Sequence, residues 1–65
     1  KRQVFIPTPE ASGKIELHDV TGATVLEKKV VNTITSFDIH ALPRGIYVAV
    51  WINGARKDAQ KLVVE

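Results

Sequence analysis

The chain has 65 residues, nine basic and seven acidic side chains, a net charge of +2 and no cysteine. That length holds one small domain with a modest core; it excludes a disulfide frame, and two histidines without thiols leave a structural zinc site short of ligands. The bases Lys28-Lys29 and Arg56-Lys57 stand as isolated pairs, which reads as solvated strand ends and turns rather than a nucleic-acid or membrane stripe, and no apolar run approaches the roughly 20 residues of a membrane-spanning helix.

Val4-Phe5-Ile6 predicts a short apolar strand, ended by Pro7-Thr8-Pro9. Two prolines remove two backbone donors and suit a sheet edge. Residues 10–13 read as a loop. Lys14-Ile15-Glu16-Leu17-His18-Asp19 alternates polar and apolar, the pattern of a half-buried strand with Ile15 and Leu17 inward. Asp19-Val20-Thr21-Gly22 is a turn: Asp bonds forward to the backbone and Gly accepts positive φ. Residues 24–31 predict a strand hairpinned to the previous one, broken at Asn32-Thr33.

Residues 34–39 are rich in β-branched side chains, with Phe37 and Ile39 on one face, and residues 40–44 form a corner. The strongest strand pattern covers residues 45–52. Asn53-Gly54 predicts a type I′ turn, bulged or lengthened before a closing strand between Ala59 and Val64 that pairs back onto residues 45–52. Residues 55–60 offer the only room for a single helical turn. Short strands at even spacing, with turn signals between them, predict an all-β fold: a small Ig-like antiparallel β-sandwich of consecutive hairpins packed as two small sheets.

Leu42-Pro43-Arg44-Gly45-Ile46-Tyr47 has the pattern of a tyrosine corner, in which a Tyr hydroxyl turns back to upstream backbone and fixes a crossover between sheets. Along the following strand, Tyr47, Ala49 and Trp51 share one face, and Ile46, Val48, Val50 and Ile52 share the other. A sandwich strand usually keeps one face wet. Two readings follow for the second apolar face. Either loops and neighbouring side chains cover it, or it docks a partner or another copy.

No catalytic grouping stands out. Asp19, Asp38 and Asp58 fall at expected turns or strand ends, without metal-ligand spacing. His18 and His40 read as exposed strand and loop residues. Ser12 and Ser36 lack a nucleophile context, and Gly22, Gly45 and Gly54 belong to separate turns, so no phosphate-cradling loop exists. The chain reads as non-enzymatic, with no cofactor and no nucleic-acid partner. It contains no methionine, and Lys1-Arg2 is followed by no signal-peptide pattern. It reads as part of a longer precursor.

Three segments together resemble the C-terminal signal domain of the type IX secretion system of Bacteroidetes. Gly13-Lys14-Ile15-Glu16-Leu17-His18-Asp19-Val20-Thr21-Gly22-Ala23-Thr24-Val25 resembles the family's strand and D-x-x-G-x-x-V hairpin. Phe37-Asp38-Ile39-His40-Ala41-Leu42-Pro43-Arg44-Gly45-Ile46-Tyr47-Val48 resembles its L-P-x-G-x-Y segment. Lys61-Leu62-Val63-Val64-Glu65 resembles its basic and apolar terminal strand.

The resemblance implies a single sorting domain at the end of a larger cargo protein; a secreted hydrolase or protease is one kind of precursor that would carry it, and the sequence does not identify the cargo. The cargo would cross to the periplasm on its own N-terminal signal. An outer-membrane translocon would then recognise the folded domain, and a sortase-like surface protease would remove it. Gly45, Tyr47, Lys61, Leu62, Val63, Val64 and Glu65 would carry recognition; Asp19, Gly22, Leu42 and Pro43 would shape the turns. The family's first strand would lie upstream of Lys1, leaving an edge open to strand exchange with another copy. Two other readings stand beside this one: an Ig-like accessory or adhesion module using Trp51, and a plain structural or oligomerising sandwich.

Overall fold

The computed structural model describes residues 3–65. Six strands follow in order: β1 Gln3–Pro7, β2 Lys14–His18, β3 Thr24–Lys29, β4 Ile34–Asp38, β5 Gly45–Asn53 and β6 Arg56–Val64. They form two antiparallel sheets, β1-β4 and β3-β2-β5-β6. The all-β antiparallel sandwich expected from the alternation is therefore present.

The connectivity differs from a run of consecutive hairpins. Only β2–β3 and β5–β6 are hairpins; β1 pairs with β4, and β2 pairs with β5. The chain changes sheet at residues 8–13, 30–33 and 39–44. The composition of these segments explains the difference. Pro7 precedes the first and Pro9 lies within it, Asn32-Thr33 interrupts the second, and Pro43 stiffens the third. None offers the short Gly-containing turn that a hairpin needs.

The core lies between the sheets. Ile15, Leu17, Tyr47, Ala49 and Trp51 of the large sheet pack in one cluster with Ile6 and Phe37 of the small one, joined by Val30, Ile39 and Val64. Ile15 and Leu17 are fully buried, as the alternation in β2 required. Each is neighboured in register by an inward residue of β5, Trp51 and Ala49. A large ring beside a methyl group lets the layer pack without a void.

The β5–β6 turn is tighter than expected. Asn53 pairs with Arg56, so the loop is Gly54-Ala55. Gly54 has φ 62°, and among the described residues no non-glycine has positive φ. One positive φ at the first central position is the type II′ pattern, whereas type I′ needs two. Asn53 is thus the last strand residue and not a turn residue. Residues 56–60, where a helical turn had room, belong to β6, and Asp58 lies inside that strand rather than at a turn.

Candidate functional site

The corner before β5 is built by Leu42, Pro43 and Tyr47. Tyr47 is 5% exposed, and its hydroxyl donates to the Pro43 carbonyl at 2.7 Å. The Leu42 amide donates to the Ile39 carbonyl at 3.0 Å, and its side chain packs against the core. Gly45 enters β5 at φ 154°, a conformation that side chains rarely adopt. The tyrosine corner read from the sequence is formed.

The turn after β2 is equally closed. One carboxylate oxygen of Asp19 accepts from the Thr21 amide at 2.9 Å, the Thr21 hydroxyl at 2.6 Å and the Ala23 amide at 3.1 Å. Gly22 donates to the Asp19 carbonyl at 3.0 Å and has φ 88°. These bonds, the Thr21 hydroxyl foremost, hold the Asp19 carboxyl below its usual range.

The two faces of β5 differ. Tyr47, Ala49 and Trp51 are buried in the core, while Ile46 is 48% and Val48 37% exposed; beside Ile46 in register, Val63 of β6 is 51% exposed. Loops do not cover this end of the face. Beside β5, across β2 and β3, the same face of the sheet becomes charged. Lys14 bridges Glu16 at 3.1 Å and Glu27 at 3.2 Å, and His18 contacts Glu16 at 2.9 Å. The His18 bond, then Lys14, lowers the Glu16 carboxyl, and the two glutamates raise Lys14. His18 is therefore half-buried and partnered rather than simply exposed.

The terminal strand divides by alternation. Lys61, Val63 and Glu65 are exposed, Leu62 is half-buried against the core, and Val64 is buried. Of the segment singled out in the sequence, the exposed residues are thus Lys61, Val63 and Glu65. Tyr47 and Val64 act inside the fold, and Gly45 is exposed backbone.

A second clasp was not read from the sequence. Trp51 is 3% exposed, and its indole N–H donates to the Ser12 carbonyl at 2.8 Å. Asn53 donates to Glu10 at 2.6 Å and to Ser12 Oγ at 2.9 Å, and Arg56 pairs with Glu10 while lying over the Trp51 ring. Gly13 has φ 91°, and a Cβ there would sit 2.3 Å from the Ile52 carbonyl oxygen. Gly13 opens the family-like hairpin segment, yet nothing local marks it; the constraint comes from a strand 39 positions away. The burial of Trp51 also removes the contact on which a sugar-binding adhesion module would rely.

Among the described residues, no three His, Cys, Asp or Glu side chains gather to hold a metal ion. Asp38 serves the corner, accepting from the His40 amide at 3.1 Å, and Asp58 accepts from the Ala59 amide at 3.1 Å. What the arrangement offers is a closed sandwich with an apolar outer stripe and a long terminal edge strand.

Such a fold defines a small two-sheet β-sandwich module. The chain belongs to the secretion system C-terminal sorting domain family, whose model matches residues 1–65. The family comprises sorting signals of type IX secretion in Bacteroidetes; its members work with that secretion machinery and lead to the cell surface or extracellular space. No curated protein and no solved structure matches the chain.

Proposed function

We propose that this domain is the address label of a cargo protein. It ends a longer precursor, travels through the periplasm folded, is read by the outer-membrane translocon and is then cut off by a sortase-like surface protease. Recognition rests on the β5–β6 hairpin. Lys61, Val63 and Glu65 supply the contacting side chains, and Ile46 and Val48 continue the apolar stripe. Gly45, Tyr47, Leu62 and Val64 hold the hairpin in shape, and Asp19, Gly22, Leu42 and Pro43 set its supporting turns.

The observation that supports this reading most is the exposure of Ile46, Val48 and Val63 together on the outside of the sheet. A small domain leaves such a stripe in water at a cost in solubility, and it marks an interaction surface. The test is a neutral reporter with an N-terminal export signal, fused to this domain with and without residues 61–65, in a type IX-competent bacterium. Export of the intact fusion and periplasmic retention of the truncated one is the expected result. Equal export of both overturns the assignment of recognition to the terminal strand. The mass of the released reporter reports whether the domain has been removed.

A further inference from the structure

We propose that the free edge of β6 takes an acidic, extended segment of a partner protein as an added antiparallel strand. This inference rests on the sorting reading for its biological role, though the binding itself is testable without it.

The four ends of the two sheets are not equally open. At β1, Pro7 removes a donor, and its carbonyl accepts from Gln60 Nε2 at 2.9 Å. At β4, the Ser36 carbonyl accepts from Lys28 Nζ at 2.6 Å. β3 is short and ends in Glu27, Lys28 and Lys29, the charged blunting usual at edges. β6 is nine residues long, with no proline or glycine, and its register with β5 is unbroken from Asn53↔Arg56 to Gly45↔Val64.

Residues alternate in which side their backbone groups face. The hairpin pairs Arg56, Asp58, Gln60, Leu62 and Val64 with β5 in bonding positions, so Lys57, Ala59, Lys61 and Val63 turn their amides and carbonyls outward. The Ala59 amide, on this outward side, donates to the side chain of its neighbour Asp58 at 3.1 Å, a bond that an added strand replaces.

Charge selects the occupant. The seven acids are all engaged: Glu10, Glu16 and Glu27 in ion pairs, Asp19, Asp38 and Asp58 on backbone amides, and Glu65 as well. Lys57 and Lys61 have no acidic partner among the described residues. Both stand on the outer face of the free edge, and their neighbours across the strand are Ile52 and Val48. An added strand places its directly opposite residues on that same face. Acids opposite Lys57 and Lys61, with an apolar residue opposite Val63, complete it. In antiparallel order the partner reads apolar-x-acid-x-x-x-acid. A second copy of β6 fits poorly, because it brings two more lysines and no acid to this face. Main-chain bonds would supply affinity and the paired charges selectivity.

The probe is a capped peptide, Val-Thr-Glu-Thr-Thr-Thr-Glu-Thr, titrated into the isotope-labelled chain and followed by NMR. The expected result is slowed exchange of the Lys57, Ala59, Lys61 and Val63 amides. Binding should be about tenfold tighter than for the same peptide with Lys in place of Glu. The K57E/K61E variant should prefer the lysine peptide. Equal binding of a proline-interrupted acidic peptide would mean charge attraction without strand pairing and overturns the inference. So does a response mapping away from β6, no response at millimolar peptide, or β6 amides protected by self-association alone. In the export assay, normal export of K57E/K61E alongside failure of the 61–65 deletion would remove the edge from recognition while leaving the sorting reading intact. Failure of the unmodified fusion to be exported would instead sink the sorting reading, and the peptide titration would still decide the edge.

Discussion

Tyr47 and Pro43 are joined across the corner where the chain passes from the small sheet to the large one: the buried hydroxyl donates to a carbonyl four residues upstream. The bond fixes where β5 begins, and β5 carries both the core face and the apolar outer stripe. Tyr47→Phe keeps the ring and orphans the Pro43 carbonyl. The expected cost is about 1 kcal/mol, read as a lower urea midpoint with unchanged slope. An unchanged midpoint would show that the corner does not depend on this bond.

Gly13→Ala should be worse than any surface substitution. The residue must hold φ 91° while its methyl meets the Ile52 carbonyl. Backbone strain alone costs about 1–3 kcal/mol, and the loop must move to relieve the clash. A domain of this size has only a few kcal/mol in hand. Thermal melting should drop by many degrees, and the Trp51 indole N–H resonance should shift as its bond to Ser12 loosens.

Leu17→Ala tests the core itself. Leu17 is fully buried between β3 and β5, and such truncations cost about 2–5 kcal/mol. Circular dichroism and amide dispersion at room temperature should show a largely unfolded population. A well-folded variant would mean that the sandwich is more stable than its size allows.

Stability should fall at both extremes of pH. Asp19 and Glu16 have folded pKa values below their ordinary ones. Their contribution is present above the unfolded carboxylate range, roughly pH 4, and is lost as pH falls toward the folded values. Lys14 is raised, so its contribution is present below the unfolded lysine value, about 10.4, and is lost as pH rises through the folded one. Chemical denaturation across pH should show both limbs, and Asp19→Asn should flatten the acid limb. An acid limb that Asp19→Asn leaves unchanged would assign it elsewhere.

Much of this was legible where the signal is local. Ile15 and Leu17 announced the buried face of β2 by strict alternation, Asp19 and Gly22 their turn, and Leu42, Pro43 and Tyr47 their corner. The legible part ends where distant segments decide. The pairing of β1 with β4 is set by the core that Ile6 and Phe37 share, and no adjacent residues encode it. The Glu10–Arg56 and Ser12–Trp51 clasps join positions far apart in the chain. The Asn53-Gly54 dipeptide suggested one hairpin turn, but the register of β6 moved the loop by one residue. For the candidate site, the period of two separated Tyr47 from Ile46, yet only packing could say which face stays in water.

The central claim is that export reads the folded outer surface of the β5–β6 hairpin. Deleting residues 61–65 also removes Val64 from the core, so it mixes loss of surface with loss of fold. The most direct measurement is export of the reporter fusion carrying Ile46→Thr and Val63→Thr, two exposed, β-branched-for-β-branched changes that spare the core. The account predicts that the variant domain melts near the parent temperature while its reporter stays in the periplasm. Export at the parent level from the same folded variant would contradict it.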